Sequence, residues 1–132
     1  MHTFALIADD IMDGSLVRRG KPAWHTRCDV GLSAVNDAIL LENINWTLLK
    51  KYFHSTKYYE KLLFLIQDTA LVTILGQSLD TRFSIDGDYS RFTRTTYDTI
   101  VKYKTSLYSF YTPVAIAMIL VSNALRLRRS LI

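Results

Sequence analysis

The sequence predicts an all-α protein, and three observations support this class. The chain has 132 residues, of which 49% are hydrophobic and 21% charged, so it is long and apolar enough for one packed domain. Apolar residues recur three to five positions apart along most of the chain, as on the buried face of a helix. Two prolines and five glycines supply too few turns for a sandwich of many strands. The composition therefore fits one helical domain, or a piece of one.

Composition and charge exclude several classes of function. Sixteen Lys and Arg against twelve Asp and Glu give a net charge of +4, which favours anionic partners without specifying one. The single cysteine, Cys28, excludes an internal disulfide and a cysteine-rich zinc site. The sequence contains no glycine-rich phosphate loop and no Gly-x-Ser-x-Gly motif. The tyrosines recur at helical spacing, which indicates core packing rather than base stacking, so no nucleic-acid partner is expected.

The first half of the chain is predicted to form two helices separated by an irregular stretch. An apolar helix over residues 1–12 ends at Gly14. Residues 14–31 hold three of the five glycines and are expected to be irregular. Ser33 and Asp37 are start signals for the second helix. The apolar positions of this second helix are Val35, Ile39, Ile44, Leu48, Leu49 and Phe53.

The second half is predicted to form three more helices. The first covers residues 57–81, and residues 86–88 (Asp-Gly-Asp) form a turn after it. A second helix with a polar face covers residues 89–103, and an apolar helix begins at Ser106. No segment alternates with period two for long enough to predict a sheet. The inward positions are Leu62, Leu63, Ile66, Ala70, Thr73 and Ile74, followed by Phe92, Tyr97, Ile100 and Val101.

Two apolar segments bear on export and membrane insertion. The run His2–Ala8 is short, ends in an acidic pair and has no basic residues before it, so a secretion signal is not predicted. The run Thr105–Leu125 has no charged residue, is long enough to cross a bilayer, and is predicted to be the one segment of this kind. Because it contains Pro113, Asn123 and several hydroxyl side chains, a buried core helix is preferred to a membrane span.

Asp9 and Asp13 form the first candidate site. Residues four apart share one face of a helix, so the two carboxylates point the same way and repel each other by a few tenths of a kcal/mol. A cation between them would reverse that sign, and one or two carboxylates combined with substrate phosphates suit Mg²⁺. The alternative interpretation is a solvated acidic helix end.

Arg18 and Arg19 form the second candidate site, in a loop after the acidic cluster. Guanidinium groups match phosphate geometry with two parallel hydrogen bonds, and Gly20 would let the backbone turn. The order of acidic cluster, short glycine loop and arginine pair suits a complex of magnesium with diphosphate. The alternative interpretation is a pair of solvated loop arginines.

A third candidate site is divided between two helices. Gln77 and Asp80 lie three apart on one face of an otherwise apolar helix. Lys104 and Thr105 stand at the start of the last apolar helix, where a lysine could bind phosphate and a hydroxyl or freed carbonyl could meet a cation. The alternative interpretation is an ordinary helix end with solvated lysines.

Three motifs in this order resemble those of the trans-isoprenyl diphosphate synthases. Residues Asp9–Ser15, followed by Arg18–Gly20, resemble the first aspartate-rich motif of that family. Gly76–Asp80, read as Gly-Gln-x-x-Asp, resembles its mid-chain motif. Lys102–Tyr111 is similar to the Lys-Thr segment of the eukaryotic farnesyl diphosphate synthases in particular. The similarity extends over residues 4–118.

The resemblance implies a fold, an activity and partners. It implies part of an all-α isoprenoid-synthase helical bundle, truncated at both ends, with a partial polyprenyl synthase domain over residues 1–120 and a divergent tail over residues 121–132. Such enzymes use Mg²⁺ to join isopentenyl diphosphate to dimethylallyl or geranyl diphosphate, giving farnesyl diphosphate. The resemblance further implies a cytoplasmic enzyme with no membrane span, whose full-length protein is a homodimer.

The resemblance also implies roles for single residues on the side of the metal and the allylic substrate. Asp9 and Asp13 would hold Mg²⁺. Arg18, Lys104 and Thr105 would contact the allylic diphosphate and the cation that it forms, which makes Lys104 and Thr105 the expected catalytic residues.

The remaining implied roles concern the second substrate and the cavity. Arg19 would contact isopentenyl diphosphate. Gln77 and Asp80 would line the cavity, with Asp80 near a metal. Phe4 and Ala5 would form the floor that sets the length of the product, and Ala5 stands where farnesyl enzymes often have a second aromatic ring.

Departures from the family pattern leave three hypotheses open. His2 replaces a glutamine of the isopentenyl diphosphate site, and no second Asp-Asp-x-x-Asp motif follows Thr105 in this sequence. The first hypothesis is a prenyltransferase that is catalytic when its whole chain is present. The second is a non-catalytic fragment that binds Mg-diphosphate or associates with the full-length synthase, with exposed apolar faces that favour oligomerisation. The third is a small membrane protein anchored by residues 105–125.

Overall fold

The computed structural model describes residues 2–86, 90 and 92–129, and within them the all-α fold class is confirmed. The chain divides into two compact units, Met1–Lys51 and Tyr52–Ile132. The elements in order are α1 (His2–Met12), β1 (Val17–Arg18), β2 (Lys21–Pro22), 3₁₀ turns at Trp24–Thr26 and Gly31–Ser33, α2 (Ala34–Phe53), α3 (Tyr59–Asp86), α4 (Arg94–Ile100), a π-helix (Val101–Tyr111) and α5 (Thr112–Arg129).

The end of α1 is fixed by backbone geometry around Gly14. Ser15 N–H donates to Asp10 O at 2.9 Å and Gly14 N–H donates to Ile11 O at 3.3 Å, the two bonds of a Schellman motif. Gly14 adopts φ +61°, a left-handed conformation that glycine reaches without a Cβ penalty. The helix therefore stops where the sequence predicted, just after its acidic residues.

A two-residue hairpin follows α1. Strands β1 and β2 are antiparallel, with Arg18 opposite Lys21. Arg19 and Gly20 form the connection with φ of +55° and +76°, as a type I′ turn requires. The prediction that the chain lacks strands is wrong here, because two residues per strand are too few for a period-two pattern to be visible in the sequence.

Helix α2 confirms the prediction of a helix beginning after Ser33. Asp37 in its first turn accepts a hydrogen bond from Trp24 Nε1 at 2.7 Å, which ties the 3₁₀ turn at Trp24–Thr26 to the helix. Its buried residues are Ala34, Ala38 and Leu49. Four positions predicted to be inward are instead at least 40% exposed: Val35, Ile39, Ile44 and Leu48.

The second unit contains α3 and one long continuous helix. Helix α3 ends at Asp86, five residues beyond the predicted end at Thr81. Thr93 caps α4 by accepting from Thr96 N–H at 3.2 Å. The predicted turn over residues 86–88 and the predicted helix start at Tyr89 fall largely outside the described residues.

The predicted break before Ser106 is wrong. Helix α4, the π-helix and α5 follow one another without interruption from Arg94 to Arg129, and neither Lys104 nor Thr105 begins a helix. In the π-helix the hydrogen bonds span five residues: Thr112 N–H donates to Leu107 O. Pro113 lies just after this widened stretch and leaves the helix unbroken, which sequence alone does not indicate.

The core of the second unit lies between α3 and the long helix. Leu62 is 2% exposed, and Ala70 and Ile100 are 6% exposed. The hydroxyls of Thr69 and Thr112, both buried, lie 2.8 Å apart and join α3 to α5. Outside this core several large apolar side chains are more than half exposed: Phe64, Leu71, Leu75, Phe110, Val114 and Met118.

Two described helices are long and apolar enough to cross a membrane by length and composition. They are Tyr59–Ile85 and Arg94–Ser122. The prediction of a single segment of this kind is therefore wrong, because α3 was not counted. Core helices of bundles pass the same test, so the finding alone does not separate the two kinds of helix.

Candidate functional site

In the first unit, Arg18 joins two carboxylates at the end of α1. Its Nε lies 2.9 Å from Asp10 Oδ1 and 3.1 Å from Asp10 Oδ2. Its Nη2 donates to Asp10 Oδ1 and also to Asp9 Oδ2 at 3.0 Å. The guanidinium fork is therefore shared unequally, with most of its hydrogen bonds on Asp10.

The local structure explains why these groups meet. The Schellman turn at Gly14 reverses the chain after α1, and β1 returns Arg18 alongside the last turn of the helix. The residue Asp10 is 3% exposed, and burial of a charge is tolerated because the carboxylate is paired and hydrogen-bonded. Hydrogen bonding to Asp10, and then the negative charge of Asp10 and Asp9, raises the pKa of Arg18 against the opposing effect of burial.

The structure places the other predicted residues of this unit as follows. Asp13 is exposed and lies directly after α1, with its N–H donating to Asp9 O at 2.9 Å. Arg19 is exposed at the tip of the hairpin, and Phe4 and Ala5 are half-buried on α1. Asp10, to which the motif assigned no role, is the most buried carboxylate of the cluster. The signal that could have found it is a third acid beside a pair, followed by an arginine after a short turn.

In the second unit, Lys104 pairs with Asp80. The Nζ–Oδ2 distance is 2.5 Å, and the side chains are 23% and 27% exposed. Gln77 turns along its own helix and donates from Nε2 to Thr81 Oγ1 at 3.3 Å. Thr105, the next residue of the motif, is exposed. The structure therefore brings Lys104 to Asp80, whereas the Gln77 side chain bonds to Thr81 within α3.

Gly76 allows this pairing because α3 and the π-helix touch at its position. A Cβ built on Gly76 would lie 2.7 Å from Tyr103 C and 2.8 Å from Lys104 Cα, and it would also overlap Lys104 N. Real Cβ atoms are not found this close to backbone atoms. Gly76 is thus the residue that admits the backbone of Lys104, one helical turn from Asp80 on the same helix.

The π-helix surrounds the Lys-Thr motif. Ser106 Oγ donates to Val101 O at 3.1 Å, and Thr112 Oγ1 donates to Leu107 O at 2.9 Å, each to the carbonyl five residues earlier. Hydroxyls that donate to these carbonyls support the widened spacing. π-Helical segments are rare and occur frequently at functional sites. This stretch is longer than a single-turn bulge and carries both Lys104 and Thr105.

Within the described residues, no group of three or more His, Cys, Asp or Glu side chains is placed to hold a metal ion. The donor set at the end of α1 consists of carboxylate oxygens, which are the hard ligands that Mg²⁺ prefers. Because Mg²⁺ in enzymes often takes one or two carboxylates and completes its shell with water and substrate phosphates, Asp9 and Asp13 fit the ion.

The helical fold, together with an acidic cluster held by an arginine and a Lys-Thr segment on a π-helix, defines the class of the protein. The family profile described as polyprenyl synthetase matches residues 1–130. The chain belongs to the polyprenyl synthetase family. The predicted boundary at residue 120 between synthase domain and tail stays a prediction.

Particular relatives are farnesyl diphosphate synthases. The chain is 45% identical over 128 residues to the farnesyl diphosphate synthase of Dictyostelium discoideum, covering 91% of this chain and 34% of the relative. It is 51% identical over 122 residues to the farnesyl pyrophosphate synthase of Gallus gallus, covering 91% and 33%. The chain thus spans about a third of the length of the curated relatives that it matches.

Solved structures of the same class are similar in fold. The crystal structure of T. brucei farnesyl diphosphate synthase matches with a TM-score of 0.87 and 32% identity, covering 95% of this chain and 39% of that one. The same enzyme complexed with risedronate matches with a TM-score of 0.86 and 32% identity, over the same shares of the two chains. The identities and the fold agree with the resemblance read from the three motifs.

Proposed function

We propose that this chain is the part of a farnesyl diphosphate synthase-type prenyltransferase that binds the allylic diphosphate and its metal. The full protein would join isopentenyl diphosphate to dimethylallyl or geranyl diphosphate. The observation that carries the proposal is the contact between Arg18 and Asp9, because it places an expected phosphate-binding cation against an expected metal ligand. The polyprenyl synthetase match over residues 1–130 supports the same reaction class.

We propose that Asp9 and Asp13 hold Mg²⁺, with Asp80 near a metal. When bound, Mg²⁺ neutralises charge on a departing diphosphate. In this proposal Arg18 of the first unit supplies positive charge to a departing diphosphate, and Lys104 of the second unit does so by its place in the motif. Such charges stabilise the transition state because they need no reorganisation. A guanidinium can donate two parallel hydrogen bonds to one phosphate, whereas an ammonium acts as a point charge.

The other site residues have supporting roles in this proposal. Thr105 is exposed on the π-helix and can direct its hydroxyl oxygen to the allylic cation. Arg19, exposed at the hairpin tip, contacts isopentenyl diphosphate. Gln77 lines the cavity, and Phe4 and Ala5 limit the length of the growing prenyl chain.

We propose that the full-length protein is a cytoplasmic homodimer and that neither candidate helix spans a membrane. Asp80 lies on α3, and its partner Lys104 lies on the long helix, so both helices carry a charged group of one ion pair. Charged groups within a bilayer are costly and rare. The exposed apolar side chains of both units are consistent with faces that further chain or a second subunit would cover.

The test is a segment exchange. Residues 4–118 would replace the matching segment of the Dictyostelium discoideum relative, and the resulting protein, here called the graft, would be assayed with Mg²⁺, isopentenyl diphosphate and dimethylallyl diphosphate. We expect farnesyl diphosphate from the graft and no measurable product from the 132-residue chain alone. An inactive but folded graft would favour the alternative function, a non-catalytic segment that binds Mg-diphosphate or associates with a full-length synthase.

A further inference from the structure

Arg18 donates a hydrogen bond to Asp9, the carboxylate proposed above as a Mg²⁺ ligand. We propose that Arg18 is an internal counter-cation that sits on Asp9 until Mg²⁺ replaces it, while Asp10 is a positioning residue that keeps Arg18 beside the diphosphate. The inference rests on the proposed function insofar as Asp9 is taken as a Mg²⁺ ligand. The motif predicts neither that Asp10 positions Arg18 nor that Arg18 leaves Asp9 when Mg²⁺ binds.

Three hydrogen bonds hold the Arg18 guanidinium on Asp10, whereas one holds it on Asp9. Nε donates to both oxygens of Asp10, Nη2 donates to Asp10 Oδ1, and the Asp10 side chain is only 4% exposed. The contact to Asp9 is a single hydrogen bond from Nη2 at 3.0 Å, and the Asp9 side chain is 17% exposed. Loss of the Asp9 contact therefore leaves the bidentate contact to Asp10 intact.

Metal and guanidinium compete for Asp9 because both are cations that need the same carboxylate. A divalent ion beside Nη2 would repel it, and the side chain of Arg18 remains 36% exposed, so the freed edge can meet a ligand from solvent. A diphosphate that accepts from this edge would favour the displaced state. Mg²⁺ and diphosphate should therefore bind with positive coupling, and linkage makes this coupling equal in both directions.

The experiment measures Mg²⁺ binding to the 132-residue chain by calorimetry, first alone and then with saturating inorganic diphosphate. Arg18→Gln removes the competing cation, and Arg18→Lys keeps the charge but loses the planar fork that reaches both carboxylates. Arg27→Gln is the matched control, because Arg27 donates in the same way to Asp29 at 3.1 and 3.0 Å on an exposed part of the same unit. Helical circular dichroism checks that each variant is folded.

We expect Arg18→Gln to tighten Mg²⁺ binding in the absence of diphosphate by about three- to tenfold, as loss of one competing charge-assisted hydrogen bond permits. Arg18→Lys should tighten it to a smaller extent, and Arg27→Gln should leave it unchanged. The gain in Mg²⁺ affinity caused by diphosphate should be smaller in Arg18→Gln than in the unaltered chain.

The charge-conserving variant separates competition from a general field effect. The proposal is overturned if Arg18→Lys and the unaltered chain bind Mg²⁺ equally. It is also overturned if none of the three proteins, the unaltered chain, Arg18→Lys and Arg18→Gln, binds Mg²⁺. A different result would contradict the proposed function alone. In that result both Arg18 variants bind Mg²⁺ more tightly than the unaltered chain, but none of the proteins binds diphosphate. In that case the competition at Asp9 stands without a diphosphate site.

Discussion

The two units hold the same kind of ion pair by different means. In the first, Arg18 meets Asp9 and Asp10 across eight or nine positions of sequence, through one helix end and one tight turn. In the second, Lys104 meets Asp80 across 24 positions, and the contact depends on two helices that touch at Gly76. The first arrangement is local and the second is tertiary. We therefore expect the first to tolerate loss of packing and the second to fail with it.

The largest expected effect concerns the carboxylates of the first unit. In the graft, Asp9→Asn and Asp13→Asn should each lower the rate by on the order of a hundredfold, because one lost charge contact to the transition state costs about 3 kcal/mol. Steady-state assays with dimethylallyl diphosphate would measure this.

Asp10→Asn tests the same cluster from its buried side. Asp10 follows Asp9 directly and so lies off the helix face that Asp9 and Asp13 share. Because the structure shows it holding Arg18, we now expect its loss to appear mainly as a higher KM for the allylic substrate. Equal losses of kcat at all three aspartates would contradict this division of roles.

The next effect concerns the tertiary contact of the second unit. Gly76→Ala in the 132-residue chain should lower the free energy of unfolding by about 2 kcal/mol, since the added methyl overlaps the backbone of Lys104. An ordinary helical glycine would gain about 1 kcal/mol from the same change, so the sign is diagnostic. Urea unfolding followed by circular dichroism gives the value.

Ser78→Ala is the control for Gly76→Ala, because Ser78 is exposed on the same helix. It should shift stability by less than about 0.5 kcal/mol. A stabilising effect of Gly76→Ala would mean that α3 and the π-helix are not in contact at this position.

The sequence predicted the local features of the molecule, whereas features that depend on tertiary packing were missed. The end of α1 at Gly14 and the start of α2 after Ser33 were predicted, because both are set by neighbouring residues. The acidic cluster and Arg18 were singled out from their spacing, and their roles stay predictions. The π-helix was missed, because a change from four- to five-residue hydrogen bonds depends on packing and on hydroxyls such as Thr112.

Two further failures have physical causes. Gly76 was recognised as part of a motif, yet nothing in the sequence showed which backbone it would touch. The inward face of α2 was predicted from periodicity, but Ile39 is 53% exposed because periodicity identifies an apolar face without showing what covers it.

A smaller effect is expected at the proposed chain-length floor in the first unit. In the graft, Ala5→Phe should shorten the product or narrow its distribution, because added volume in a packed site costs about 1–3 kcal/mol and would burden only the longer intermediate. Chromatography of the extracted products measures it. A lower melting temperature with unchanged products would show instead that Ala5, which is half-buried on α1, packs against protein.

The hydroxyl pair of Thr69 and Thr112 tests the contact between α3 and α5 in the second unit, with a smaller expected loss of stability than Gly76→Ala. Thr69→Val and Thr112→Val should each lower the free energy of unfolding by about 1 kcal/mol, and the double variant should lose less than the sum because each single variant already removes the bond between the two hydroxyls. Thr47→Val, at an exposed site, is the control. Strict additivity in urea unfolding would contradict a direct bond between the two hydroxyls.

The smallest effect lies at Arg27 and Asp29, which repeat the chemistry of Arg18 and Asp10 without burial. Hydrogen bonding from Arg27 lowers the pKa of Asp29, so this pair stabilises the fold at neutral pH and the contribution is lost as acid protonates Asp29. Arg27→Gln should raise the pKa of Asp29 towards its ordinary value, measured by carbon NMR of the carboxyl group, with almost no change in stability because exposed pairs contribute little. Arg94→Gln, which removes another exposed pair, should leave the pKa of Asp29 unchanged. If Arg27→Gln instead destabilised the chain as much as Arg18→Gln, burial would not be what distinguishes the two arginine–aspartate pairs.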